Sequence, residues 1–238
     1  MKKQWNNKVQ MSIFEHLEEL RQRVFISIII FCITTVICLI YIKNISYLLQ
    51  QPAIGIKFLQ LAPGEYLFAS IKVAIYTGFL LSSPFTVYQI IIFILPGLTK
   101  KEALFIIPII FSSVLLFFVG IFFSYKILAP AALTFLMNYG ADIVEPIWSF
   151  EQYFNFILLL LFSTGLAFQI PIIQIILGIF NIVSSEQMLL YWRYIIFLST
   201  IIGAILTPST DPLTQIIMSS AIFILYLIGI LILKILNK

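Results

Sequence analysis

The sequence predicts an all-α integral membrane protein with six transmembrane helices, both termini on the cytoplasmic or stromal side, and an N-terminal amphipathic interfacial helix. Three observations predict it. Of 238 residues, 61% are hydrophobic and only 10% charged, against about a quarter charged in a soluble domain. The apolar residues fall in long runs, and about 20 residues suffice to cross a hydrocarbon core of ~30 Å. Helix-start signals recur at the head of these runs. The whole of 1–238 reads as one transmembrane domain.

The chain opens with a charged stretch, SIFEHLEELRQR, at 12–23. Ile13, Leu17, Leu20 and Val24 recur at helical spacing and form one apolar stripe. That pattern predicts a helix lying in the interface before the chain turns into its first span. Ser12 and Glu15 fit a capping box. Glu18 and Arg21 are spaced i,i+3, and Glu19 and Arg23 i,i+4, pairs worth about 0.2–0.5 kcal/mol each on an exposed helix. Acidic and basic groups are mixed here and no small-residue cleavage site follows, so the stretch reads as mature sequence.

The first span is 24–42, bounded by Arg23 and Lys43. The second, 66–95, follows the Pro63-Gly64 turn and exceeds what a bilayer needs, Lys72 marking a projecting part. The third, 104–125, is entered through Thr99 and Glu102, and the fourth, 150–177, through Ser149 and Gln152, both spaced as capping boxes. Ser184 and Gln187 repeat that spacing before the fifth span, 194–206. Its shortness implies a thinned bilayer or a helix packed on protein. The turn TPSTDP leads into the sixth span, 213–233, with Asp211 as N-cap and Pro212 as first helical residue. Pro84, Pro108 and Pro171 fall within spans and are expected to kink them.

With the N-terminus inside, ten of the 14 basic residues collect on the inner side, leaving Lys43, Lys57, Lys72 and Lys126 outside. Basic residues of a membrane protein report this orientation, so the net charge of +4 says nothing of nucleic acid. Cys32 and Cys38, six apart, point to different helix faces and cannot pair. The sequence has no P-loop, no His-Glu-x-x-His, no Gly-x-Ser-x-Gly and a single His, so no catalytic, metal or cofactor site is predicted. Asp142 and Asp211 both fall in outer loops, which excludes an intramembrane aspartate pair. Binding or transport is the remaining class. A small-solute or ion carrier is the alternative, but carriers place charges near the midplane. Here the midplane offers only neutral groups such as Gln169.

A second inner patch, FILPGLTKKEAL at 93–104, sets Glu102 at a helix start amid Phe93, Pro96 and Leu98. Its carboxylate serves as a cap or as the receiver of an external cation.

Taken together, His16-Leu-Glu-Glu-Leu-Arg21-Gln-Arg23 before the first span and Tyr88-Gln89, Phe93, Pro96-Gly97-Leu98 and Lys101-Glu102 after the second closely resemble the TatC family of the twin-arginine translocase. Phe168-Gln169-Ile-Pro171 and the Leu206-Thr-Pro208…Asp211 turn match it too, so the resemblance spans nearly the whole chain. It implies a receptor for twin-arginine signal peptides of folded cargo proteins, working in an oligomeric complex with single-span TatA- or TatB-type subunits. Carried over by motif, Glu19 and Glu102 would bind the arginines, with Arg21 and Phe93 in the same patch. A planar guanidinium matches a carboxylate in a way that lysine does not. Gln169 stands where many members have glutamate. It would contact a partner subunit within the membrane, or be satisfied within its own bundle. Asp211 and Pro52 also match family positions, though capping accounts for the first and loop stiffening for the second. Rich usage of Ile, Lys, Asn and Phe, with Gln169, resembles plastid members and implies a thylakoid membrane, a bacterial or cyanobacterial membrane being the alternative.

Overall fold

A computed structural model describes residues 13–53, 56–94, 100–139, 147–180, 182–208 and 211–236. Backbone groups in hydrocarbon must bond within the protein, and helices dominate accordingly. α1 spans Ile13–Ile40 as one uninterrupted helix. This corrects the expectation of an interfacial helix that turns into the span. Positions 13–40 contain no glycine or proline, so nothing interrupts the hydrogen-bond ladder.

α2 (Ile42–Gln50) and a short strand β1 (Lys57–Leu59) lead to α3 (Glu65–Ile94). Pro84 lies inside α3 and cannot bond the carbonyl four residues back. That carbonyl is Leu80 O, and Ser83 Oγ donates to it at 2.7 Å. α4 (Lys100–Phe123) continues through a π-helical turn, Ser124–Leu128, into α5 (Ala129–Asn138). β2 (Ile147–Ser149) pairs with β1 in parallel, Phe58 opposite Trp148. The all-α prediction misses this ribbon, since three-residue strands leave no periodicity to read.

The fourth span is split into α6 (Phe150–Ala167) and α7 (Ile170–Ile179) by a turn at Phe168 and Gln169, with Pro171 in the first turn of α7. α8 (Ser185–Leu190), α9 (Trp192–Leu206) and α10 (Pro212–Ile235) complete the chain. The Ser184–Gln187 capping box forms in both directions. Ser149 caps Gln152 N, and Asp211 caps Thr214 N. The predicted caps Ser12 and Thr99, and the loop residue Asp142, lie outside the described residues.

Among the described residues five helical stretches are long and apolar enough to cross a membrane. α9, at 15 residues, is shorter. Ser163 Oγ donates to Leu206 O at 2.8 Å, and Ser163 lies about 20 Å along α6 at ~1.5 Å per residue. α9 therefore ends beside the middle of the fourth span.

Two packing relationships organise the bundle. α1 and α3 run antiparallel, with His16 beside Phe93, Arg23 beside Gln89 and Thr34 bonded to Gly78 O. Elsewhere Leu128, Leu133, Phe154, Ile157 and Met218 are fully buried where α5, α6 and α10 meet.

Candidate functional site

Two of the residues predicted for the patch, Glu19 and Phe93, lie where α1 begins and α3 ends. Arg23 Nη2 donates to Glu19 Oε1 at 3.2 Å, and Arg23 Nη1 donates across to Gln89 Oε1 of α3 at 3.3 Å. One arginine thus links both helices through its planar fork. Glu19 and Arg23 side chains are only 17% and 29% exposed. The second carboxylate oxygen, Glu19 Oε2, is buried and has no hydrogen-bond partner among the described residues. A buried carboxylate oxygen left unbonded is costly, so a donor that reaches it when the surrounding side chains part is stabilising.

Beside it the His16 and Phe93 rings stack with centroids 4.3 Å apart and planes 15° from parallel. Deeper along the helix pair lies a groove of about 380 Å³ lined by Leu20, Val24, Phe31, Phe79, Ile90 and Phe93. Charge at one end and apolar walls along the rest suit a ligand with a basic head and an apolar body.

The predicted residues are not all gathered here. Arg21 turns outward and pairs with Glu18 at 3.1 Å, both well exposed. Glu102 is the third residue of α4, and the loop residues Pro96 and Leu98 before it are outside the described residues. Gln169 sits at the α6–α7 break, far along the chain from the cluster. It accepts from Ser113 Oγ at 2.5 Å, and its Nε2 donates to Ser113 O at 3.1 Å. Both ends of the amide are therefore used within the bundle. Asp211 is buried and accepts from Thr214 N at 2.8 Å and Thr214 Oγ1 at 2.6 Å. Pro52 follows α2 at the opposite end of the α1–α3 pair.

Reading the sequence missed two participants here, Gln89 as the partner of Arg23 and His16 as the stacking partner of Phe93, and at the other end of α3 it missed Glu65. Glu65 directly follows the Pro63-Gly64 turn, where Gly64 has φ of 82°. Only the nearness of that turn to a helix start hinted at a role.

The family profile described as "Sec-independent protein translocase protein (TatC)" matches residues 15–220. The chain belongs to the TatC family. The tatC-like protein ycf43 of Gracilaria tenuistipitata var. liui is 72% identical over 100% of both chains. The Sec-independent protein translocase protein TatC of Synechocystis sp. is 54% identical, covering 97% of this chain and 91% of that one. The chloroplastic counterpart of Oryza sativa subsp. japonica is 49% identical over 92% of this chain and 62% of its own length. A crystal structure of the twin-arginine translocase receptor TatC superposes with a TM-score of 0.77 at 35% identity, covering 94% of this chain and 100% of that one. TatC proteins are components of a protein translocase, not a catalytic enzyme family. With its membrane-spanning helices and its chloroplast and cyanobacterial relatives, this TatC-family chain is a membrane protein of the plastid or bacterial kind.

Proposed function

We propose that this chain is the signal-peptide receptor of a thylakoid twin-arginine translocase. In this reading it crosses the membrane six times, α9 included, with both termini on the stromal side and the Glu19 cluster facing the cargo. The observation that carries the reading is the half-used carboxylate. Arg23 occupies Glu19 Oε1, while Oε2 is buried and open among the described residues. A guanidinium from a twin-arginine motif takes the open oxygen, and Glu102 takes the second arginine. An exposed ion pair gives only about 0–1 kcal/mol, and for a largely buried carboxylate such as Glu19 the cost of desolvation offsets much of the attraction. The α1–α3 groove therefore supplies most of the affinity by burying the peptide's apolar segment, and the carboxylates supply the choice of arginine over lysine. Arg21 and Phe93 border this patch. Gln169 contacts a single-span TatA- or TatB-type partner in an oligomeric complex, with Ser113 holding it in the meantime.

The test is binding of a fluorescent twin-arginine signal peptide to the protein in nanodiscs, beside a twin-lysine peptide and the Glu19→Ala and Glu102→Ala variants. The reading expects the arginine peptide to bind better, and each substitution to erase that preference. Equal binding by both peptides and all variants would reduce the cluster to an interfacial anchor.

A further inference from the structure

At the opposite end of the α1–α3 pair, where α1 gives way to α2, a second groove of about 670 Å³ lies between α2 and the Ser124–Leu128 turn. We propose that it binds the anionic headgroup of a membrane lipid. Its charge, its turn geometry and its apolar wall all lead there.

The charge is one-sided. Lys126 is the only charged residue among those lining the groove, and no Asp or Glu does so. Lys126 is exposed and forms no ion pair among the described residues. Its Nζ instead lies 5.5 Å from the Tyr125 ring centroid. An ammonium with no carboxylate among the described residues lining its groove, where Tyr47, Gln50 and Gln51 add polar groups, recruits an anion with several acceptor oxygens.

The turn that presents Lys126 is built for this place. A π-helical turn holds one residue more than an α-helical turn, and such turns recur at functional sites. Here it turns Tyr125 toward α2, where Tyr125 Oη donates to Leu48 O at 2.7 Å. The hydroxyl pins the turn to α2 and fixes where the lysine stem leaves the helix.

The remaining wall is apolar, formed by Ala53, Ile56, Phe58 and Pro130, with Pro52 at the edge. At the rim Tyr47 is 70% exposed, and just outside Leu48 and Ile127 are 51% and 48% exposed. Apolar side chains this bare, beside tyrosines and a lysine, mark the depth at which hydrocarbon meets headgroups. A soluble anion satisfies Lys126 but leaves these surfaces uncovered, whereas an acyl chain covers them.

The shared chemistry is a phosphate or sulfonate oxyanion, and the occupant is its lipid form. The full chain would be equilibrated in mild detergent with equimolar phosphatidylglycerol and phosphatidylcholine, and the lipids retained counted by native mass spectrometry. Retention of phosphatidylglycerol several-fold above phosphatidylcholine is expected. Lys126→Met, which keeps an apolar stem, should abolish the preference, Lys126→Arg should keep it, and Lys43→Met, on the same end of the chain, should leave it intact. Inorganic phosphate at millimolar concentration should not displace the lipid. Equal retention of the two lipids overturns the proposal, as does a preference that survives Lys126→Met. Displacement by phosphate alone overturns the lipid assignment.

Discussion

The Glu65 carboxylate accepts a hydrogen bond from Ser149 Oγ at 2.5 Å, tying the start of α3 to the start of α6 across 84 residues of sequence. It also accepts from Glu151 N at 3.0 Å, Leu61 N at 2.6 Å and Ala62 N at 3.2 Å. One side chain thus satisfies a first-turn backbone donor of α6 and two backbone donors of the segment leading into α3. Lys72 reinforces the junction by donating to Glu151 Oε1 at 2.5 Å.

Replacing Glu65 should loosen this junction. Glu65→Ala strands all four donors, whereas Ser149→Ala removes one of them together with the cap on Gln152 N and leaves the three backbone contacts of Glu65. The expected order of thermal midpoints in detergent is wild type, then Ser149→Ala, then Glu65→Ala lowest. Glu65→Gln, with a single acceptor oxygen in place of two, should fall between the last pair. A midpoint for Glu65→Ala equal to wild type would show that the α3–α6 junction is held without it, by Lys72 on Glu151 and the Tyr66–Phe150 ring contact.

The α1–α3 pair depends on a close backbone approach at Gly78. A Cβ there would stand 2.8 Å from Thr35 Cα and closer still to Thr35 Oγ1. Small residues let membrane helices approach this way, and they allow contacts such as Thr34 Oγ1 to Gly78 O at 3.1 Å. Gly78→Ala should cost about 1–3 kcal/mol, the usual range for overpacking, and Gly78→Leu more. Because the cluster at Glu19 needs Gln89 opposite Arg23, peptide binding should weaken in parallel, read by the same nanodisc titration. Unchanged stability in both variants would mean that the helices separate freely at this point.

Much of this was legible in the sequence because membrane spans are long and their ends are marked. The apolar run at 66–95 falls on a helix, Glu65–Ile94, and the run at 213–233 on another, Pro212–Ile235. The pairings of Glu18 with Arg21 and Glu19 with Arg23 follow from helical spacing, and both form. The missed features depend on what tertiary packing brings together. Nothing local in Tyr88-Gln89 announces that the amide meets Arg23, 66 residues away. The β1–β2 ribbon likewise joins two short segments far apart in sequence. The interfacial turn was a reasonable inference from the apolar stripe, yet without a helix breaker α1 runs straight through it.

The amide at position 169 offers a sharper test of intramembrane polar contacts. Gln169 and Ser113 exchange two bonds, one through the serine hydroxyl and one through the serine backbone carbonyl. Gln169→Leu loses both, Ser113→Ala only the first. Inter-helix hydrogen bonds in membranes average about 0.6 kcal/mol, so Gln169→Leu should cost on the order of 1 kcal/mol and Ser113→Ala about half that. A double-mutant cycle on unfolding in mixed micelles should return a coupling of about 0.5 kcal/mol. Zero coupling would show that Gln169 is free for other partners even in the isolated chain.

The resident arginine sets a limit on how Glu19 can receive a second one. Because Arg23 occupies Glu19 Oε1, a guanidinium arriving at Oε2 makes one hydrogen bond with that carboxylate instead of the two-pronged contact both groups are shaped for. Arg23→Gln keeps a polar group facing Gln89 but clears Glu19 Oε1 and removes a repelling positive charge. If Glu19 reads an arginine, this variant should bind the twin-arginine peptide several-fold more tightly, while the twin-lysine peptide, which lacks a planar fork to match both oxygens, gains chiefly the smaller electrostatic part. The ratio of the two affinities therefore rises. Raising salt should narrow the gain of both peptides, since the part due to charge is screened over a distance of about 10 Å at 0.1 M. A ratio that falls on Arg23→Gln would mean the opposite arrangement, in which Arg23 holds Glu19 in the binding pose and the site depends on the pair.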